Sequence, residues 1–146
     1  ISILKFITQL INAMNDENFG RRHIRLFAPD KDQFILSDPT LLTHVFRNLI
    51  QNALNYSPGS VDPEVHLIYR GSFVEVMVKD YGIGIPKEDR KNIFGSFYRG
   101  SNVGNIKGTG LGLNIVWELV KKLNGEIWFE SQVGLGSEFH VSLPSK

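Results

Sequence analysis

Between Ser37 and Asp80 the chain changes period in a way that leaves few folds open. Ser37-Asp38-Pro39 is a helix start, with a capping side chain ahead of a first-turn proline. Leu42, Val45, Phe46, Leu49, Ile50 and Ala53 then recur at helical spacing up to about Asn55, where Ser57-Pro58-Gly59 stops the run. Two apolar runs follow, Val65 to Tyr69 and Phe73 to Val78, separated only by Arg70-Gly71-Ser72, which reads as a hairpin. A one-striped helix next to a hairpin buries its apolar side by lying on the sheet, which predicts a layered α/β arrangement.

The remaining segments extend that pattern. Ile3, Leu4, Ile7, Leu10, Ile11 and Met14 predict an amphipathic helix over residues 1–15. His23 to Phe27 and Gln33 to Leu36 read as short strands around a Pro-Asp-Lys-Asp turn, and Lys87 to Ile93 as a short helix. Residues 95–109 carry no periodicity and read as a mobile loop. Gly110 to Leu123 is a further helix, striped by Leu113, Val116, Val120 and Leu123 and ended by Asn124-Gly125. Glu126 to Glu130 and Glu138 to Leu143 form a closing hairpin around Gly134 and Gly136. The expected fold is α+β: a two-layer α/β sandwich with a mixed, mainly antiparallel sheet and helices on one face.

Bulk properties exclude some functions. With 146 residues and 42% hydrophobic content, the chain can bury one real core. A formal net charge of +1 gives no electrostatic case for nucleic acid or an acidic membrane surface. The absence of cysteine excludes disulfides and Cys-ligated zinc and fits a cytoplasmic setting. No apolar run approaches a membrane span. A chain opening on Ile rather than Met is read as part of a longer protein, so a membrane-anchored parent stays open.

Four short blocks carry the chemistry. In the first, Asn48, Asn52 and Asn55 share a face of the Pro39 helix apart from its core side. Asparagines are poor helix formers, so the face calls for an explanation. Their carbonyl oxygens can help hold a hard cation such as Mg²⁺; the alternative is a solvated helix face. In the second block, Asp80 ends an apolar strand and is followed by Gly82, Ile83 and Gly84. A carboxylate there can accept from an exocyclic amine such as that of adenine, and glycines let a flat base approach the backbone. An ordinary Asp-Gly turn is the competing reading. The third block is Ile93-Phe-Gly-Ser-Phe-Tyr-Arg99. The fourth, Gly108-Thr109-Gly110-Leu111-Gly112-Leu113, opens a helix with unobstructed backbone N–H groups, a site for phosphate. It lacks the Gly-Lys-Ser/Thr of a P-loop, and its glycine spacing and context are not those of a dinucleotide fingerprint. Arg99 and Lys107 flank the loop as candidate phosphate partners or as solvated cations.

Taken together, the blocks resemble the N, G1, F and G2 boxes of the ATP-binding catalytic domain of sensor histidine kinases. This family belongs to the superfamily that also contains gyrase, MutL-type ATPases and anti-sigma-factor serine kinases. The resemblance covers roughly residues 20–145 and implies a Bergerat-type ATP-binding fold with ATP and Mg²⁺ as cofactors. It makes Asn52 the principal Mg²⁺ ligand, with Asn48 beside it. Asp80 would read the adenine amine, partly through water, while Gly82 and Gly84 shape the base pocket and Tyr56 lines it. Phe94 and Phe97 would anchor a lid, and Gly108, Gly110 and Gly112 would receive the triphosphate. Residues 1–18 would be the end of, or a linker from, a missing dimerisation and phosphoacceptor domain, with residues 19–146 the catalytic domain.

The implied reaction is transfer of the γ-phosphate to a histidine on that other domain, with a response regulator as indirect partner. No direct membrane contact is expected of this domain. His23, His44, His66 and His140 lack the family's acceptor context. The superfamily's hydrolases carry a general-base Glu where this chain has Asn48, which favours transfer over hydrolysis and counts against a serine kinase of the anti-sigma type. Two departures leave room for a non-catalytic nucleotide sensor: Asn55 stands where the family often has a cation, and Gly95 where it often has an acid.

Overall fold

The computed structural model describes residues 1–17, 23–57, 61–94 and 112–145. Among the described residues, three α-helices, α1 (Ile3–Glu17), α2 (Pro39–Tyr56) and α3 (Gly112–Lys122), accompany strands β1 (Arg25–Phe27), β2 (Glu64–Tyr69), β3 (Phe73–Asp80), β4 (Glu126–Gln132) and β5 (Gly136–Pro144). The strands form one sheet in the order β1-β2-β3-β5-β4, with β1 parallel to β2 and the other pairs antiparallel. The expected mixed, mainly antiparallel α+β architecture is the one observed.

Helix α2 begins where its sequence says. The Asp38 carboxylate accepts from the backbone N–H of Thr40 at 2.8 Å and of Leu41 at 3.4 Å, which satisfies two donors that the first turn leaves unpaired. Leu42, Val45, Phe46, Leu49, Ile50, Ala53 and Leu54 are buried, and Ser57 closes the helix through its N–H on the Ala53 carbonyl. This stripe meets the inward side chains of the sheet, Val74, Val76 and Val78 of β3 and Phe139, Val141 and Leu143 of β5. The same core takes Ile3, Ile7, Leu10, Ile11 and Met14 of α1 and Val116 and Val120 of α3. A bidentate Arg47–Glu17 ion pair ties α2 to the end of α1.

One expectation is corrected and two are sharpened. Residues 33–36 are not a strand paired with residues 23–27. β1 takes β2 as its partner, and Phe34 and Ile35 make only isolated bridges, to Ser2 and Ser145. Burial explains the difference: Ile35 is buried, but Leu36 is 86% and Phe34 54% exposed, so the segment has no apolar face to dock. The short helix is 3₁₀ over Lys87–Asn92 and buries none of its residues, in keeping with the short runs in which this geometry occurs. The strand ends also run further than read, β3 to Asp80 and β4 to Gln132.

Candidate functional site

Alternation along β3 decides the surroundings of Asp80. Val74, Val76 and Val78 face the helices, so two residues on, Asp80 faces the same way. It is 6% exposed. The carboxylate Oδ1 accepts from the Gly82 N–H at 3.0 Å, and the Ser137 backbone N–H donates as well. Burial outweighs these hydrogen bonds and raises the pKa from the ordinary 3.8 to about 6. Asp80 therefore remains mainly ionised at neutral pH, but at a cost.

The glycines after Asp80 are required by contact. A Cβ on Gly82 would lie 1.8 Å from the Tyr56 carbonyl oxygen, at the C-terminal end of α2. A Cβ on Gly84, whose φ is +74°, would lie 2.3 Å from the carbonyl oxygen of Gln132. The segment is thus clamped between α2 on one side and the β4–β5 turn on the other. The Tyr81 N–H donates to the Ser57 hydroxyl at 3.3 Å, and the Gly134 N–H donates to the Ile83 carbonyl at 3.0 Å. Arg90 adds further staples, from Nε to the Ile85 carbonyl at 3.2 Å and from its guanidinium to the Ser131 carbonyl at 2.6 Å.

The asparagine face of α2 leads away from this clamp. Tyr56, half-buried, stands at its end; Asn52 lies one turn earlier and Asn48 one turn before that. Nδ2 of Asn48 donates to the His44 carbonyl at 2.8 Å, which leaves Oδ1 as the outward atom. That oxygen lies 3.7 Å from where a Cβ on Gly112 would stand, so the first asparagine meets the N-terminal end of α3. Asn52 makes no side-chain hydrogen bond among the described residues, and its amide carries an oxygen of the kind a hard cation takes. Asn55 differs, because its Oδ1 already accepts from Gln51 Nε2 at 3.1 Å. A shallow cavity of about 310 Å³ flanks Asn48 and is lined by Glu17, His44, Arg47, Asn48 and Gln51, without Asn52 or Asp80.

Of the expected site residues, the structure brings Asp80, Gly82, Ile83, Gly84 and Tyr56 together at the C-terminal end of α2, and Asn48 and Gly112 together two turns earlier along the same helix. Arg99, Lys107, Gly108, Thr109, Gly110 and Leu111 lie outside the described residues, as does Phe97. Phe94 stacks edge-to-face on Phe129, with centroids 6.1 Å apart, and its carbonyl accepts from Asn114 Nδ2 at 3.0 Å. Ser57, Arg90, Ser131 and Ser137 also hold the site together. In the sequence Ser57 signals only a helix stop, and no local signal marks the pairing of Ser137 with Asp80 across 57 positions of chain.

This sheet, covered by helices on one face, with an asparagine-lined helix running from a buried strand-end carboxylate to a glycine-started helix, is the fold of histidine kinase catalytic domains. The family model described as histidine kinase-, DNA gyrase B- and HSP90-like ATPase matches residues 37–146, and the chain belongs to that family. The sensor histidine kinase WalK of Bacillus subtilis is 36% identical over 152 residues, covering 100% of this chain and 24% of that protein. The sensor-like histidine kinase SenX3 of Mycolicibacterium smegmatis is 40% identical over 112 residues, covering 75% of this chain and 29% of its own length. The chain thus spans about a quarter of the length of these relatives. Among solved structures, the mycobacterial sensor histidine kinase MprB superposes with a TM-score of 0.85 at 23% identity, covering 100% of this chain and 97% of that one. The catalytic domain of the histidine kinase ThkA gives 0.80 at 25% identity, covering 99% and 93%. No helix among the described residues is long and apolar enough to cross a membrane.

Proposed function

We propose that this domain binds Mg²⁺-ATP and donates the γ-phosphate to a histidine on another domain of its parent protein, in two-component signalling. The observation that carries the reading is the span of α2. Its asparagine face starts beside Gly112 and ends at Tyr56, whose carbonyl packs on Gly82 next to Asp80. Eight residues at 1.5 Å each separate these ends by about 12 Å, which suits a base at one end and phosphates at the other. Asp80 accepts from the exocyclic amine of adenine and repels the carbonyl oxygen that guanine presents there. The helix start at Gly112, preceded by Gly108, Thr109, Gly110 and Leu111, offers N–H groups to the phosphates, with Arg99 and Lys107 as cationic partners. Gly84 and Ile83 shape the base end.

The donor chemistry fits Mg²⁺: Asn52, and Asn48 through its outward Oδ1, supply neutral oxygens beside the phosphate end. The ion neutralises phosphate charge when bound. This chain's own residues position the nucleotide. At the place of a hydrolase's general base stands Asn48, an amide that cannot accept the proton of an attacking water, so the site favours transfer. Names of relatives such as sensor histidine kinase WalK support the kinase reading. On the same reading, residues 1–18 lead from a dimerisation and phosphoacceptor domain and residues 19–146 form the catalytic unit, with a response regulator downstream and the domain itself on the cytoplasmic side.

One observation favours a second reading, a nucleotide sensor without transfer. Asn55 is tied to Gln51 and supplies no cation where the family often has one. Joining the parent's phosphoacceptor segment to this chain and assaying acid-labile phosphate separates the two. Acid-labile, alkali-stable label from γ-labelled ATP is expected. ATP binding with no such label would establish the sensor.

A further inference from the structure

The outer face of the sheet, opposite the helices, carries a side-chain cluster that nucleotide chemistry does not use. Glu138 and His140 on β5 alternate with the inward Phe139 and Val141, and Glu130 and Trp128 are their register partners on β4. His140 is 9% exposed. Its Nδ1 lies 2.8 Å from Oε2 of buried Glu75, whose other oxygen meets Arg70 Nε at 3.2 Å. Its Nε2 is fully buried with no hydrogen-bond partner among the described residues and lies 3.8 Å from Glu138 Oε1, too far for a hydrogen bond. One ligand atom from each of Glu130, Glu138 and His140 lies within 4.8 Å of the others.

We propose that Glu130, Glu138 and His140 bind a divalent transition metal of the zinc class, with Glu75 as the positioning residue behind the imidazole. The Nδ1–H donated to Glu75 fixes the tautomer that turns the Nε2 lone pair toward the carboxylates, the usual outer-sphere arrangement for a ligating histidine. Metal bonds near 2.1 Å give a tetrahedral edge of about 3.4 Å. The 3.8 Å spacing of Nε2 and Oε1 therefore closes with a small side-chain shift. One imidazole and two carboxylates leave a fourth position open, as suits zinc rather than an all-oxygen magnesium site. Electrostatics supports a cation here. Glu130 and Glu138 face each other directly across the strands, an unfavourable like-charge pairing. Lys79, the register partner of Glu138 on its other side, turns its ammonium to the Tyr81 ring, 5.0 Å from the centroid. This site lies across the sheet from Asn52 and needs no nucleotide.

Calorimetric titration of chelator-stripped protein with Zn²⁺ alone tests it. One saturable equivalent is expected, weakened at least tenfold in His140→Ala and Glu138→Gln. Glu75→Gln, which leaves all three ligands in place, is expected to lose about 10–100-fold. Trp128 stacks on His140 with centroids 5.1 Å apart, so a local readout is available. In a Trp117→Phe background it is the only indole, and Cu²⁺ should quench it in proportion to site occupancy. If near-UV circular dichroism shows His140→Ala misfolded, Glu138→Gln and the exposed Glu130→Gln carry the same comparison. Absence of saturable binding, or equal Zn²⁺ affinity in wild type and ligand variants, would overturn the site and leave His140 as an ion-pair partner of Glu75.

Discussion

Replacing Asp80 by Asn should change the pH dependence of folding by an amount the structure sets. The Asp80 pKa rises from 3.8 to about 6 because the carboxylate is buried at the end of β3. A rise of about two units, at about 1.4 kcal/mol each, makes the ionised group cost about 3 kcal/mol. The sign follows from proton linkage. Below pH 4 both folded and unfolded Asp80 are protonated and the cost vanishes. Between about pH 4 and 6 the unfolded chain releases its proton while the folded one keeps it, so wild-type stability falls as pH rises. Above about pH 6 the full cost is present. The Asn variant cannot ionise and lacks this contribution, while its amide oxygen can still accept from Gly82. Urea unfolding of both proteins at closely spaced pH values from 4 to 8 measures the difference, in which the other carboxylates cancel. The variant should gain about 3 kcal/mol relative to wild type between pH 4 and 7, then level off. A difference that is flat in pH, or that moves toward the wild type as pH rises, would refute the account of Asp80 as a buried, destabilised carboxylate.

Other expectations follow from the same geometry. ATP affinity of the wild type should rise with pH through about 6 and plateau, since the ionised carboxylate accepts the adenine amine; titration at pH 5 and 8 checks it. Gly82→Ala puts a methyl 1.8 Å from the Tyr56 carbonyl and should cost about 1–3 kcal/mol in urea unfolding and weaken ATP binding. Phe46→Ala empties the centre of the core, where the ring is 0% exposed, and should cost about 3–5 kcal/mol without a specific effect on nucleotide once folded. Asn52→Ala should leave unfolding nearly unchanged, because no described residue hydrogen-bonds its amide, while reducing Mg²⁺-dependent ATP affinity at least tenfold by calorimetry.

How far the sequence could be read depended on whether a signal was local. Asp38-Pro39, the helical stripe from Leu42 to Ala53 and the two apolar runs each declare themselves within a few residues, and α2, β2 and β3 follow. The burial of Asp80 follows a local rule too, because period-two alternation carries it onto the buried side with Val74, Val76 and Val78. What joins distant segments was not. Gly82 reads as a turn residue, yet the reason for its hydrogen side chain is the carbonyl of Tyr56, 26 positions earlier. Residues 33–36 misled because Phe34 and Leu36 are apolar without being buried. The asparagines at 48, 52 and 55 share a face but not a circumstance, since only Asn55 is tied to Gln51.

The central claim is that the carboxylate of Asp80, beside the C-terminal end of α2, selects adenine. Calorimetric titration of the chain with Mg²⁺-ATP and Mg²⁺-GTP at pH 7.5, in wild type and Asp80→Asn, tests it most directly. The account predicts saturable binding of ATP to the wild type, at least tenfold weaker binding to Asp80→Asn, and GTP weaker than ATP on the wild type by a similar factor. Equal ATP affinity in the two proteins, or no ATP binding by either, would contradict it.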